Sequence, residues 1–241
     1  MNISGVRKTG TKFNQAIENT QHLRIPTPGL KFLFDNFNMD DVAIGNVIDY
    51  GAGGGRDTRA FLDQDKGWDV HAVDISAKSG RALSIEIGEG KVKFHQTGRL
   101  QDLPLPHQSV SVVNAQRVLP FLPRDELTSM LTESANLLRP GGYLCVSFFG
   151  LDHSWNNGTR PDCNFYSKDD INDLLGEAGF VVVREKHQTG PSRTAAKGVV
   201  DNWDEITVVA KSSIEPAAPE QVDEQQQAGN AGDCKPCCIL L

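Results

Sequence analysis

Val47-Ile48-Asp49-Tyr50-Gly51-Ala52-Gly53-Gly54-Gly55-Arg56-Asp57 is the stretch that decides the architecture. A short apolar run ends in an acid, glycines fill the bend, and charged residues come next: a strand, a turn and a helix start. Glycine accepts positive φ and leaves room where a Cβ would collide with a ligand. The helix beyond it offers unpaired N–H groups and the positive end of its dipole.

Alternation continues on the C-terminal side. A helix is expected from 56 to about 65, a strand over 69–74, and a helix capped by Ser76 to about 87. Strands come next over 91–95 and, beyond a loop with Pro104 and Pro106, over 110–115. Leu127, Met130, Leu131, Ala135 and Leu138 recur at helical spacing over 124–138, and Pro140-Gly141-Gly142 stops that helix before a strand over 143–149. Ser167 and Asp170 form a variant capping box for a helix to Ala178, with Gly179 in the C′ position. Two more strands, 180–184 and 206–210, have no helix between them and can pair antiparallel. The fold class is therefore α/β: a Rossmann-like, seven-stranded, mostly parallel sheet with helices on both faces.

Three segments result. Residues 1–44 read as a leader of two amphipathic helices packed on the domain, with Pro26 and Pro28 between them. Residues 45–211 form the domain. Residues 212–241 are rich in Pro, Ala, Glu and Gln, with little to bury, and read as a disordered linker.

The chain has 241 residues, 39% hydrophobic and 23% charged, as in ordinary soluble proteins. It opens on no apolar signal core and contains no run of the ~18 apolar residues that a spanning helix needs, so a cytoplasmic protein is expected. Much of the net charge of −7 lies in the tail, where five acids face Lys235 alone. No basic footprint points to nucleic acid. Cys145 and Cys163 stand apart in the body, which suggests reduced thiols, and no cluster there supports a metal site.

Asp74 ends the second strand, 23 residues after Gly51, where doubly wound nucleotide folds place a carboxylate on ribose hydroxyls. A dinucleotide would bring a pyrophosphate to the helix end, and an acid just before the glycines does not suit it. S-adenosylmethionine carries an ammonium and a carboxylate instead, which Asp49 before the bend and Arg56 after it match in sign.

The segment resembles motif I of class I S-adenosylmethionine-dependent methyltransferases. Gly53-Gly54-Gly55-Arg56-Asp57-Thr58-Arg59 is similar to the version in the tellurite-resistance-type small-molecule group. The resemblance runs from Val47 to about Ala210. It implies that Asp49, Gly51, Gly53, Gly55 and Arg56 surround the aminocarboxylate end, and that Asp74 and Ile75 hold ribose and flank adenine. It further implies that the loop with Asp102 and Leu103 contacts adenine, and that the segment with Asn114 and Gln116 borders the methyl group. Three positions depart from the family pattern: Ala52 replaces the common Cys or Ser, Gly98-Arg99 the common Gly-Asp, and Pro120-Phe121 a frequent histidine.

Methyl transfer is an in-line displacement at a sulfonium, so positioning carries much of the rate and a conspicuous catalytic residue is not required. The catalytic candidates are His153, Asp152 and Arg160, just past the fifth strand at the carboxyl edge of the sheet. His153 reads either as a base or as a structural loop histidine. The acceptor is expected to be a small molecule. A cofactor-binding recruitment module without catalysis, or a protein or lipid methyltransferase at a membrane, are the alternatives.

The sequence closes on Cys238-Ile239-Leu240-Leu241, a C-a-a-X pattern whose terminal Leu favours geranylgeranyl. One lipid chain anchors only reversibly, so a second signal is expected; palmitate on Cys237 or Cys234 could supply it. This end resembles the C-termini of prenylated small GTPases and implies a prenyltransferase and a membrane as partners. A Cys-x-x-Cys metal pair at Cys234 and Cys237, or a chance match, are the competing readings.

Overall fold

The computed structural model describes residues 10–193, 199–200 and 202–213. Seven strands form one sheet: β1 (Asn46–Tyr50), β2 (Asp69–Val73), β3 (Lys93–His95), β4 (Val110–Ala115), β5 (Leu138–Phe149), β6 (Phe180–Gln188) and β7 (Glu205–Ser212). Their order is β3-β2-β1-β4-β5-β7-β6. The first five pair in parallel, while β7 enters between β5 and β6 and pairs antiparallel with both. This is the expected Rossmann-like sheet. Chain order reverses between β1 and β4, the switch point beside which open α/β sheets bind ligands.

Helices cover both faces. On one, Leu30 and Leu33 of α2 (Pro28–Asn36) and Ala60 and Phe61 of α3 (Arg56–Leu62) pack on Val47, Val70, Val112 and Val209. Between α3 and β3 comes α4 (Ala77–Ile87), capped by Ser76 as expected. On the other face α5 (Arg124–Leu137) and α6 (Lys168–Glu177) cover Ile48, Val113, Val146 and Val208. Period-two alternation sends neighbouring valines and isoleucines to opposite cores, which is why β4 is buried at every position. The capping box at Ser167 and Asp170 is present with both of its hydrogen bonds.

Several bounds differ from the sequence reading. The α3 helix stops at Leu62 because Asp65 and Gly67 adopt positive φ and turn the chain toward β2. β5 starts at Leu138, straight from α5, and the Pro140-Gly141-Gly142 stretch is taken up by a register shift against β4 between Val110 and Val112. β6 runs on to Gln188 because β7 pairs along it as far as Glu205. The third strand is shorter, Lys93–His95.

Before the sheet, α1 (Gly10–Thr20) lies against α4, and α2 packs beside β5. Among the described residues no helix is long and apolar enough to cross a membrane. The linker reading beyond Ser213 and the three tail cysteines lie outside the described residues.

Candidate cofactor and acceptor site

The bend after β1 is made by three left-handed glycines, Gly51 (φ +75°), Gly53 (φ +52°) and Gly55 (φ +78°). Backbone N–H groups of Gly51 and Ala52 donate to the Val73 carbonyl at 2.7 and 3.1 Å, fastening the bend to the end of β2. Asp74 is the next residue. Its carboxylate accepts the Gly53 N–H at 2.9 Å and the Ser76 N–H at 2.8 Å, joining the bend to the start of α4. Burial pushes the Asp74 carboxyl upward, and these two bonds oppose that.

Beside Asp74, Ile75 is 72% exposed, and Gly98 closes toward it: a Cβ there would stand 3.0 Å from Ile75 Cγ2. The Tyr50 hydroxyl holds that loop by donating to the Gly98 carbonyl at 2.8 Å. Asp102 is exposed and accepts from Thr97 Oγ1 at 2.7 Å, while Leu103 turns into the core.

Asp49, Asn114, Asp57 and Thr58 form a buried network across the β1–β4 switch point. Thr58 Oγ1 donates to Asp49 Oδ2 at 2.6 Å, and Asn114 Nδ2 donates to Asp49 Oδ1 at 2.9 Å. Asp57 accepts the Thr27 N–H and hydroxyl, both at 2.7 Å. Burial, and after it the neighbouring Asp57 charge, push the Asp49 carboxyl up to about 7.

Arg56 is also engaged. Its Nε donates to the Ile25 carbonyl at 2.5 Å and its Nη2 to the Pro26 carbonyl at 3.0 Å. From sequence, Asp49 and Arg56 are expected as two free charges on either side of the bend. In the folded chain both have protein partners, Asp49 at the floor and Arg56 on the segment that precedes α2. Gln116 likewise turns beneath α2, where its Nε2 donates to the Cys145 carbonyl at 3.0 Å.

The N-terminal helix spans both halves of the site. Gln21, just past its end, lies so close to the bend that a Cβ on Gly54 would fall 2.6 Å from the Gln21 backbone. Asn14 Oδ1 accepts from Ser76 Oγ at 3.1 Å, and Phe13 meets Phe121 edge-on at 5.3 Å between centroids. Sequence periodicity marks this helix as amphipathic but gives no sign of where it docks.

At the carboxyl ends of β4 and β5, where the antiparallel β7 begins, the character changes. Phe149, Phe165, Trp155 and Trp203 gather round His153. Arg160 lies over Trp155 at 4.4 Å and pairs with both oxygens of Asp162 at 2.8 Å. Asp152 is exposed, and its backbone N–H donates to Asp204 Oδ2 at 2.9 Å.

Sequence reading missed Arg117 and Glu205. Arg117 holds φ +60°, a conformation unusual for a side-chain-bearing residue, and its Nη2 donates to Glu205 Oε2 at 2.9 Å. Trp203 Nε1 donates to the same oxygen at 2.7 Å. Burial disfavours the Glu205 carboxylate, but Arg117 outweighs it and holds the group below the usual range. Residues 88 apart in sequence carry no local signal of such a pair. His187 and Asp204 form a second pair at 2.5 Å on the neighbouring strands. Among the described residues no group of three His, Cys, Asp or Glu side chains can hold a metal.

Whether this geometry fits S-adenosylmethionine turns on two places. An apolar side chain held in water beside a carboxylate suits the flat face and the sugar hydroxyls of an adenosine; Ile75 and Asp74 supply both. At Gly53 a Cβ would meet only the Gly51 carbonyl oxygen, at 3.8 Å, so the space beside that one glycine is open, whereas a Cβ on Gly51 would collide with Val118 and one on Gly55 with Leu83. The residues fit the cofactor.

Comparison with known proteins agrees. The methyltransferase-domain family matches residues 47–142. A SAM-dependent methyltransferase of Methanosarcina mazei superposes with a TM-score of 0.59 at 16% identity, over 76% of this chain and 98% of its own. The 1,6-didemethyltoxoflavin-N1-methyltransferase of Burkholderia thailandensis, solved with 1,6-didemethyltoxoflavin and S-adenosylhomocysteine, gives 0.59 at 21% identity, over 86% and 82%. The (4+2)-cyclase SpnF gives 0.63 at 14% identity, over 86% and 96%, so the same fold also serves other chemistry. No curated protein matches the sequence. With the family match falling on β1 through the start of β5, and the bend and Asp74 inside it, residues 47–142 are a class I S-adenosylmethionine-dependent methyltransferase domain, and S-adenosylmethionine is its cofactor.

Proposed function

We propose that the chain transfers a methyl group from S-adenosylmethionine to a small molecule held at the carboxyl ends of β4 and β5 and the amino end of β7. One observation carries this reading: the open bend at Gly53, with Asp74 and Ile75 beside it, is bridged to the aromatic cluster by α1 through the Phe13–Phe121 contact. When bound, the cofactor supplies an electrophilic methyl on a sulfonium. The chain's own part is to orient and to exclude water.

In this reading Asp74 receives the ribose hydroxyls, Ile75 flanks adenine, and Asp102 lies at the rim of that slot, while Leu103, expected at adenine, is buried in the core. Gly53 admits the aminocarboxylate end, while Gly51 and Gly55, expected there too, make room for Val118 and Leu83 of the chain itself and shape the bend. Asp49 and Asn114 fix the bend from below, Arg56 ties down the segment before α2, and Gln116 braces the end of β4. His153, Asp152 and Arg160 stand on the acceptor side.

The tail adds location. Where Cys238-Ile239-Leu240-Leu241 ends the mature chain, a prenyltransferase would attach geranylgeranyl to Cys238, with Cys237 or Cys234 available for palmitate, and hold a cytoplasmic enzyme at a membrane. A protein or lipid acceptor at that membrane follows from the tail alone. The recruitment-module reading draws on the aromatic cluster's lack of a free base, since His153 is buried among rings.

Methyl-labelled S-adenosylmethionine incubated with fractionated cell extract tests the activity: label in a small-molecule fraction, with stoichiometric S-adenosylhomocysteine, is the expected result. Cofactor binding without turnover on any fraction would favour the recruitment module. For the tail, mass spectrometry after incubation with a geranylgeranyltransferase should find one prenyl group on Cys238; an unmodified Cys238 would remove the membrane proposal.

A further inference from the structure

Within the acceptor-side cluster one buried polar atom has no partner. His153 is 2% exposed, and its ring lies 4.5 Å from Phe149, 4.9 Å from Trp155, 4.9 Å from Trp203 and 5.8 Å from Phe165, centroid to centroid. Nδ1 accepts the Trp155 backbone N–H at 3.1 Å. Burial pushes the His153 imidazolium down, so the ring is neutral, and with Nδ1 accepting, its proton sits on Nε2. Nε2 is buried and makes no hydrogen bond. An N–H left unpaired among aromatic rings is costly to keep, and such exceptions call for a reason.

The charges around it narrow the reason. Arg117 is neutralised by Glu205, Arg160 by Asp162, and each guanidinium lies over a ring, Trp203 at 4.8 Å and Trp155 at 4.4 Å. Neither pair is left with a charge to spare for an ionic substituent, and an ion entering unpaired would meet a large desolvation cost. The cluster offers ring faces and edges plus one donor.

We propose that this aromatic box is the acceptor subsite and that it takes an uncharged, flat aromatic molecule through an oxygen that receives the His153 Nε2–H. The assignment rests on the methyltransferase reading and deepens it by giving the acceptor a chemical class. His153 then acts as a donor that orients the acceptor, not as a base, because its only free nitrogen already carries the proton.

The full chain provides its own reporter. Two of its three tryptophans, Trp155 and Trp203, line the box, whereas Trp68 lies in the cluster under α3 and supplies an unquenched baseline. The probes are 2-naphthol and its isostere 2-methylnaphthalene, titrated with and without saturating S-adenosylhomocysteine. Saturable quenching is expected for both, with 2-naphthol tighter by about tenfold, the scale of one buried hydrogen bond. His153→Asn keeps an oxygen that can accept the Trp155 N–H, and His153→Phe keeps the ring. Both should bring the naphthol-to-methylnaphthalene ratio to about one, with S-adenosylhomocysteine affinity unchanged. That ratio does not respond to mere loosening of the fold. An unchanged ratio in both variants, or no saturable naphthol quenching while S-adenosylhomocysteine binds, overturns the proposal. Failure of S-adenosylhomocysteine itself to bind is a separate result against the methyltransferase reading, and the ratio measured without it still judges the box.

Discussion

At the cofactor end the bend, Asp49, Arg56 and Asp57 fall within a single stretch of eleven residues, 47–57, and Asp74 ends the very next strand. At the proposed acceptor end, Phe121, Phe149, His153, Phe165 and Trp203 arrive from separate turns and strands. The first end is polar and built on backbone geometry; the second is aromatic and built on side-chain packing. Neighbouring residues suffice to build the first, whereas the second exists only once distant segments have packed together.

The largest expected effect separates the two ends by affinity. Asp74→Ala removes the carboxylate proposed to hold the ribose hydroxyls, and S-adenosylhomocysteine should bind more weakly by about 30-fold or more in isothermal titration. Trp203→Phe, at the other end, should leave that affinity within about twofold. Equal losses from both would dissolve the distinction.

Next comes the seam where α1 crosses the bend. In Gly54→Ala the new Cβ would stand 2.6 Å from the Gln21 backbone, so the helix end must move. Urea unfolding should register a loss of about 2 kcal/mol. No change would mean that α1 is not packed on the bend.

A smaller effect concerns protons. The Asp49 carboxyl is raised to about 7 by burial first and by Asp57 second. Between its ordinary value near 4 and 7 the folded chain therefore binds more protons than the unfolded one, so this group's contribution to stability is present at low pH and lost as pH rises to about 7. Asp49→Asn should flatten the fall, gaining on the order of 1–2 kcal/mol relative to wild type between pH 4 and pH 8. Parallel pH profiles for the two proteins would show that the network carries no extra proton. Smaller still, Arg160→Gln should cost about 0.5–1 kcal/mol through the lost contact with Trp155, visible as a slight drop in melting temperature.

The two ends also differ in how far they could be read in advance. The strand, bend and capped helix around Gly51 follow from glycine, Ser76 and alternation, all local signals, and so does the antiparallel pairing of the last two strands, which no helix separates, whereas the order of strands in the sheet carries no local signal. Which groups Asp49 and Arg56 face was not legible. A like-charged neighbour at Asp57 and the Ile25 and Pro26 carbonyls come into play only after α2 and the segment before it dock. The Arg117–Glu205 pair and the ring contacts of His153 join strands far apart in the chain, where periodicity says nothing about partners.

Calorimetry of S-adenosylhomocysteine with wild-type protein and Gly53→Ala is the most direct trial of the central claim. Alanine in a left-handed position costs the fold only about 1 kcal/mol, yet its methyl group would enter the space left free beside the bend. One-to-one binding by wild type and a loss of at least about tenfold in the variant is the predicted result. Equal heats from the two proteins, or none from wild type, would contradict a cofactor seated on that bend.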